Sequence, residues 1–192
     1  MEWLDPLNAY PLPADFVSKV EAYSALLLTY NKTHNISGAK TTHAVRENIL
    51  DSLYPLLFME TWPKRCIDIG SGAGFPGIPL ALALPAMEMH LFEPIAKKSA
   101  FLHLVKSELG LANVVVKTER IEATQPFPCE LICSRAVTNT KALLTLAKAF
   151  IIPTTCALLY KGSRANEELE GFSNYTLFER NQRRYVLVKD LL

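Results

Sequence analysis

Residues 66–84 read CIDIGSGAGFPGIPLALAL and constrain the fold more than any other part of the chain. Apolar residues lead into glycines at alternate positions, Gly70, Gly72 and Gly74, and a helical run that begins with proline follows. This order predicts a buried strand, a tight turn and a helix. In an open α/β sheet such a junction lies at the carboxyl end of the strand, where ligands bind. Because glycine permits positive φ and has no Cβ to keep a ligand from the backbone, we expect a small molecule on this loop.

Two kinds of nucleotide ligand are compatible with these glycines. Gly72, Gly74 and Gly77 also match the dinucleotide pattern G-x-G-x-x-G, so a nicotinamide-dependent oxidoreductase is an alternative. Against a pyrophosphate, Pro76 and Pro79 fall in the first helical turn. There they remove amide donors that a helix N-terminus would otherwise direct at an anion.

Two acidic residues favour a nucleoside that carries a positive charge. Asp68 precedes Gly70 and predicts a carboxylate near the loop, which suits an ammonium group better than a phosphate. Glu93 follows the apolar stretch 87–92 and is suited to accept both ribose hydroxyls. S-adenosylmethionine is a nucleoside of this kind, and it is the predicted cofactor.

The periodicity of apolar residues predicts an α/β fold. Helical stripes cover 15–30 and 42–58, and no strand is predicted before Cys66. Further helices are predicted at 76–84, 96–109, 119–123, 139–149 and 164–170, and strands at 66–69, 87–92, 113–117, 130–134, 156–160, 175–178 and 185–189. This alternation predicts a doubly wound, mostly parallel sheet with antiparallel closing strands. We expect one domain over 1–192, with 1–62 a helical extension and 63–192 the cofactor-binding core.

Composition and termini predict a cytoplasmic protein that has no membrane partner. Hydrophobic residues make up 49% of the 192, which suffices for a packed core. No apolar run reaches the roughly 18 residues that span a bilayer. The start, MEWLDPLNAY, has neither a basic n-region nor an apolar h-region, so we expect no export.

The cysteines and the charges suggest further alternatives. The chain has 4 cysteines without C-x-x-C spacing, which predicts buried reduced thiols and no metal site. Cys133 has a second interpretation as a nucleophile for pyrimidine methylation. The net charge is only +1, but basic residues cluster, and the cluster by itself favours solvated faces over a patch for RNA phosphates: Lys97, Lys98, Lys161, Arg164, Arg180, Arg183 and Arg184.

The motifs of residues 30–189 resemble a known family, the bacterial small-subunit rRNA guanine-N7 methyltransferases, also called glucose-inhibited division protein B. The segments that carry the resemblance are NILDSL (48–53), DIGSGAGFPGIPLA (68–81), FEPIAKKSAFL (92–102), ERIE (119–122), SRAV (134–137) and YKG (160–162). Each is weak alone, but their order and spacing together make the match specific.

The resemblance implies a Rossmann-like fold and an S-adenosylmethionine-dependent enzyme that methylates N7 of one guanine in 16S rRNA. Its partner would be the small ribosomal subunit or an assembly intermediate, and we expect a monomer. The roles implied by position are as follows: Gly70 and Phe75 line the methionine and ribose end, Glu93 binds the ribose, Ile121 and Glu122 flank the adenine, and Arg135 faces the place where donor and guanine meet.

One position departs from the family. The family usually has Arg-His before its ILDS segment, whereas this chain has Glu47 and Asn48. Asn48 can form hydrogen bonds but cannot be charged, so we expect Arg46 to compensate in docking RNA. A noncatalytic RNA-binding protein that retains the pocket is a further alternative.

The chemistry implied by the resemblance needs little acid-base machinery. Guanine N7 carries an exposed lone pair, so its attack on a methyl sulfonium requires no prior deprotonation. The enzyme must mainly align the reacting atoms in a water-poor pocket. In agreement, SRAV lacks the Asn/Asp-Pro-Pro-aromatic signature expected of enzymes that methylate exocyclic amines.

Overall fold

A computed structural model of the chain describes residues 2–135, 138–163 and 165–192. Ala136 and Val137 of the SRAV segment, and Arg164 of the predicted basic cluster, lie outside the described residues. Within the described ranges, no helix has the length and apolar character needed to cross a membrane. The same ranges contain no group of three or more His, Cys, Asp or Glu side chains that could hold a metal ion.

Two long helices precede a seven-stranded sheet. The helices are α1 (Phe16–His34), α2 (Thr42–Leu53), α3 (Gly77–Ala83), α4 (Ala96–Glu108), α5 (Thr140–Ala147) and α6 (Ala165–Glu168). The strands are β1 (Arg65–Ile69), β2 (Glu88–Phe92), β3 (Val114–Lys117), β4 (Cys129–Arg135), β5 (Ile151–Lys161), β6 (Tyr175–Arg180) and β7 (Arg183–Val188). Short 3₁₀ segments occupy Glu2–Leu7, Tyr54–Leu57, Ile121–Ala123 and Lys148–Phe150.

The strand order is β3-β2-β1-β4-β5-β7-β6. Strands β1 to β5 are parallel, whereas β7 runs antiparallel to both β5 and β6. The predicted doubly wound sheet with antiparallel closing strands is therefore confirmed. Strands β1 and β4, which are neighbours, are separated by β2 and β3 in the sequence, so the chain reverses direction across the sheet beside β1. Ligands bind at such a reversal in open α/β sheets.

Two of the elements whose bounds differ from the prediction involve a proline. The predicted helix 42–58 ends at Leu53 and continues as a 3₁₀ turn, since Pro55 has no amide hydrogen for the helical ladder. Strand β5 begins at Ile151 rather than 156, although it contains Pro153. A register shift between Cys129 and Leu131 accommodates that start, and the Thr155 hydroxyl donates to the Cys129 carbonyl at 2.6 Å.

The N-terminal helices share a hydrophobic core with the sheet. Phe16 and Tyr23 of α1 and Val45 of α2 are fully buried in the same cluster as Ile78 of α3. The Tyr23 hydroxyl also donates to the carbonyl of Ala73, at 2.7 Å, in the glycine-rich loop. The helical extension therefore supports the loop from behind.

Candidate functional site

A cavity of about 440 Å³ opens at the carboxyl ends of β1, β2 and β4. Most of the residues predicted to bind the cofactor line it: Gly70, Gly72, Phe75, Glu93, Ile121, Glu122 and Arg135. They come from four separate segments of the sequence, and the parallel sheet brings these segments to one edge.

Hydrogen bonds hold the first residues of the glycine-rich loop against the end of β2. The amides of Gly70 and Ser71 both donate to the Phe92 carbonyl, at 2.9 and 3.1 Å. Glu93, only 3% exposed, accepts from the Gly72 amide at 2.8 Å through one carboxylate oxygen and from the Ile95 amide at 2.9 Å through the other. Each oxygen keeps further acceptor capacity, so the carboxylate is fixed in orientation and still able to bind a ligand.

The three glycines of the dinucleotide pattern have different surroundings. A Cβ on Gly72, where φ is +60°, would have only the Gly70 carbonyl oxygen nearby, at 3.8 Å. A Cβ on Gly74 would lie 2.6 Å from Cγ1 of Ile78, and one on Gly77 would lie 2.3 Å from Cδ2 of Leu91. Only Gly72 has open space beside it. Gly74 and Gly77 are thus required by the protein's own packing rather than by close approach of a pyrophosphate.

Asp68 lies behind the loop instead of in the lining of the cavity. Its side chain is fully buried, and its Oδ2 accepts from the amide of Gly77 at 3.1 Å. Burial raises the pKa of this carboxyl to about 7. The amide at the start of α3 is therefore already engaged by Asp68 and is not available to a phosphate, which is a different role from the ligand-facing one expected from the sequence.

Arg135, at the end of β4, lines both this cavity and a second one. Its Nη1 donates to Oδ1 of Asn48 at 2.9 Å and lies 3.6 Å from Oδ2 of Asp51. The guanidinium also stands over the Phe75 ring, 4.9 Å from the centroid. Burial lowers the pKa of Arg135, although the nearby Asp51 opposes this shift. The guanidinium is thus held by α2 and by the glycine-rich loop.

Helix α2 supplies contacts that the sequence motif did not reveal. Besides facing Arg135, Asp51 accepts a 2.7 Å hydrogen bond from the Tyr185 hydroxyl and lies 3.5 Å from Nε of Arg183. The Tyr160 hydroxyl donates to the Ser52 carbonyl at 2.7 Å. A signal was present in the sequence, since Asp51 is a carboxylate within an otherwise apolar helical stripe. Its partners, however, are 84 to 134 residues away and no local pattern identifies them.

Glu47 and Asn48 replace the Arg-His pair that is usual in the family, and the contacts around them were not predicted. Asn48 holds Arg135 through its side-chain oxygen, as described above. Arg46 donates instead to Glu21 at 3.0 Å and stands over the Trp3 ring, so its guanidinium is engaged by the N-terminal segment. Arg46 thus has partners within the protein, and its part in docking RNA stays a prediction.

Several residues of the predicted basic cluster form ion pairs or hydrogen bonds within the protein. Lys161 pairs with Glu168 at 2.6 Å, and Arg184 pairs with Glu179 at 2.9 Å. Of the two lysines at the start of α4, Lys98 lines the first cavity, whereas Lys97 donates to a backbone carbonyl of α1. These contacts account for several of the charges without an RNA phosphate.

A loop between α1 and α2 completes the first cavity. The side chain of Asn31 accepts from the amides of Ile36 and Ser37 at 2.8 and 2.9 Å and donates to the carbonyl of Ala39 at 3.2 Å. Ile36 and Ser37 in turn line the cavity. Asn31 therefore orders one wall of the site from a position that the sequence analysis did not single out.

The cysteines are free thiols without a partner for catalysis. Cys66, Cys129 and Cys133 are buried and Cys156 is partly buried. The Cys66 thiol donates to the sulfur of Cys133 at 3.4 Å, and neither sulfur lines the cavity. Burial raises the pKa of Cys129 to about 12. This arrangement gives no support to Cys133 as a nucleophile.

The fold has close counterparts among solved structures. A mutant of MtNAS in complex with S-adenosylmethionine superposes with a TM-score of 0.61 at 16% identity, covering 90% of this chain and 74% of that one. The chain therefore shares the Rossmann-like fold of this S-adenosylmethionine-bound protein, which is the fold that the resemblance implied.

Sequence comparison then identifies the family. The profile of the family described as rRNA small subunit methyltransferase G matches residues 17–190. Relatives named "Ribosomal RNA small subunit methyltransferase G" are 47% identical over 182 residues in Wolinella succinogenes, covering 94% of each chain, and 42% identical over 179 residues in Aliarcobacter butzleri, covering 92% of each. The chain belongs to this family of methyltransferases, which confirms the resemblance seen in the motifs.

Proposed function

We propose that the protein transfers a methyl group from S-adenosylmethionine to N7 of a guanine in 16S rRNA. The observation that carries the cofactor assignment is the Glu93 carboxylate, fixed by the amides of Gly72 and Ile95 beside the open face of Gly72. A fixed acid at this position is suited to the two hydroxyls of a ribose. Family membership supports the rRNA substrate, because the relatives carry that substrate in their names.

The lining of the first cavity fits a cationic nucleoside. Glu93 would hold the ribose, Ile121 and Glu122 would flank the adenine, and Gly70 with Phe75 would border the methionine end, next to Arg135. Asp68 would act from behind, because it fixes the start of α3 and adds no phosphate donor. Bound there, S-adenosylmethionine supplies an electrophilic methyl group on a sulfonium.

The residues around Arg135 would position the acceptor rather than deprotonate it. Guanine N7 has an available lone pair, so the step needs alignment and exclusion of water more than a base. A guanidinium held by Asn48 and stacked on Phe75 loses little conformational freedom when it contacts the substrate. We therefore assign Arg135 to positioning.

The whole described chain would act as one catalytic unit. The helical extension, 1–62, contributes Asn48 and Asp51 to the site of the 63–192 core, which supports a single functional domain. We infer a monomer that works in the cytoplasm on the small ribosomal subunit or on an assembly intermediate.

Methyl transfer to small subunits tests the proposal. The protein is incubated with labelled S-adenosylmethionine and small subunits from cells that lack the enzyme, and the modified nucleotide is mapped by N7-specific cleavage and reverse transcription. We expect one labelled guanine in 16S rRNA. Absence of label on subunits, assembly intermediates and naked rRNA would favour a noncatalytic RNA-binding protein.

Calorimetry separates the cofactor assignment from the oxidoreductase alternative. We expect saturable binding of S-adenosylhomocysteine and none of NADH, because Gly74 and Gly77 are packed against side chains and the Gly77 amide is engaged. Saturable binding of NADH alone would contradict the assignment.

A further inference from the structure

A second cavity, of about 520 Å³, lies at the carboxyl ends of β4 and β5. Among the described residues, Arg135 is the one that lines both this cavity and the cofactor cavity. We propose that the second cavity receives the target guanine and that the Lys161–Glu168 ion pair reads its O6 and N1–H. This assignment rests on the proposed function, since it presumes a cofactor in the adjoining cavity that shares Arg135.

The ion pair has the right polarity for guanine. The Lys161 ammonium and the Glu168 carboxylate are 2.6 Å apart, so a donor and an acceptor lie side by side on the cavity wall. Guanine carries the acceptor O6 next to N7 on one edge, and the donor N1–H follows O6 around the ring. Lys161 can thus donate to O6 while Glu168 accepts from N1–H. N7 accepts no hydrogen bond from the ion pair in this orientation, so its lone pair stays free to attack a methyl group presented from the cofactor cavity.

The lysine is buried and has a donor to spare. Its side chain is only 9% exposed, and its ammonium donates to Glu168 and, at 3.2 Å, to the Thr138 carbonyl. An ammonium has three donors, so one remains for a ligand. Hydrogen bonds made away from water are stronger, which favours discrimination at this point.

A second carboxylate lines the same cavity. Glu167 precedes Glu168 on α6 and is one of the lining residues. Guanine has an exocyclic amino group that follows N1–H, and Glu167 would accept from it. Adenine presents an amino group where guanine has O6, and an unprotonated N1 where guanine has N1–H. It would place a donor against Lys161 and a lone pair against Glu168, so this wall rejects it.

Two isosteric substitutions test the assignment. Glu168→Gln and Glu167→Gln remove the negative charge with little change in size. Glu170→Gln is the matched control, because Glu170 is an exposed carboxylate two residues from Glu168 and lines neither of the two cavities. The measurements are kcat and KM for small subunits, the Kd of S-adenosylhomocysteine, and the thermal midpoint. The glutamine oxygen still accepts, but a neutral hydrogen bond replaces a charge-assisted one, which predicts a fall of about tenfold in kcat/KM for Glu168→Gln. For Glu167→Gln we expect a fall of about tenfold, and in both variants the Kd for the cofactor product stays unchanged.

The outcomes distinguish this inference from the function on which it rests. Methyl transfer by both variants within about twofold of the control would overturn the guanine assignment and leave the methyltransferase intact. If Glu168→Gln fails to fold, Glu167→Gln decides by the same criterion, because its carboxylate forms no ion pair among the described residues. Inactivity of the unmodified protein on every form of the rRNA would overturn the proposed function itself.

Discussion

Replacing Asp68 with asparagine is expected to change how the stability of the protein depends on pH. The carboxyl group is fully buried, with Oδ2 accepting from the Gly77 amide and Oδ1 left without a hydrogen-bond partner. Desolvation raises its pKa from 3.8 to about 7, against the opposing hydrogen bonds and the charge of Arg135. In the unfolded chain the pKa returns to its ordinary value near 3.8.

The sign and size of the effect follow from this difference in pKa. Between about pH 4 and pH 7 the folded state retains a proton that the unfolded chain releases, so unfolding becomes easier as the pH rises. Each unit of difference in pKa corresponds to about 1.4 kcal/mol, so the free energy of unfolding falls by about 4 kcal/mol in total. The stabilisation from the retained proton is fully present below about pH 4. It decreases as the pH rises to the folded pKa near 7, and no further loss occurs above that pH. Asparagine binds no proton in this range.

Urea denaturation of both proteins between about pH 4 and pH 8 measures the prediction. The free energy of unfolding of the unmodified protein minus that of Asp68→Asn should fall by about 4 kcal/mol over this range, because other titrating groups cancel in the difference. Asp5→Asn serves as the control, since Asp5 is exposed, and its difference from the unmodified protein should stay nearly constant. A change below about 1 kcal/mol for Asp68→Asn would refute the argument, because it would mean that folding does not desolvate this carboxyl.

Substitutions at three further positions probe the loop and the Arg135 contacts. Gly72→Val forces a β-branched residue into a φ of +60° and fills the open face of the loop. The Kd of S-adenosylhomocysteine, measured by calorimetry, should therefore rise at least about tenfold. An unchanged Kd would show that the ligand binds elsewhere. Arg135→Lys keeps the charge but loses the planar fork that reaches Asn48, and methyl transfer to small subunits should fall about tenfold with a change of only a few degrees in the thermal midpoint. Asn48→Ala removes the acceptor that orients Arg135 and should lower kcat more than it raises KM, with Asn48→Asp restoring most of the rate; equal activity of all three proteins would remove Asn48 from the site.

The local parts of the site could be predicted because each depends on neighbouring residues. A strand, a glycine-rich turn and a helix follow from apolar spacing and from glycine, and the left-handed backbone at Gly70, Gly72 and Gly74 agrees with that prediction. The place of Glu93 also followed, since the carboxyl ends of parallel strands meet at one edge of the sheet. The predicted bounds deviated most where a proline lies within an element or at its end, as at Pro55 and Pro153.

The facing of individual side chains could not be predicted in the same way. Asp68 alternates with its neighbours along β1, and only the position of α3 decides that its carboxylate meets the Gly77 amide rather than the cavity. Likewise, the pattern G-x-G-x-x-G is present in the sequence, but the side chains that fill the space beside Gly74 and Gly77 come into contact only after folding.

The sequence by itself thus determined the order of strands and helices, the ligand-binding edge and the family, because spacing and composition along the chain encode them. The tertiary structure alone decided which partners meet Arg135. Asn48 and Asp51 reach it across more than 80 residues, and Tyr185 meets Asp51 from the far end of the chain. Such contacts depend on how α2 packs against the sheet, and this packing is the sum of many weak, nondirectional apolar contacts that no short pattern of residues records.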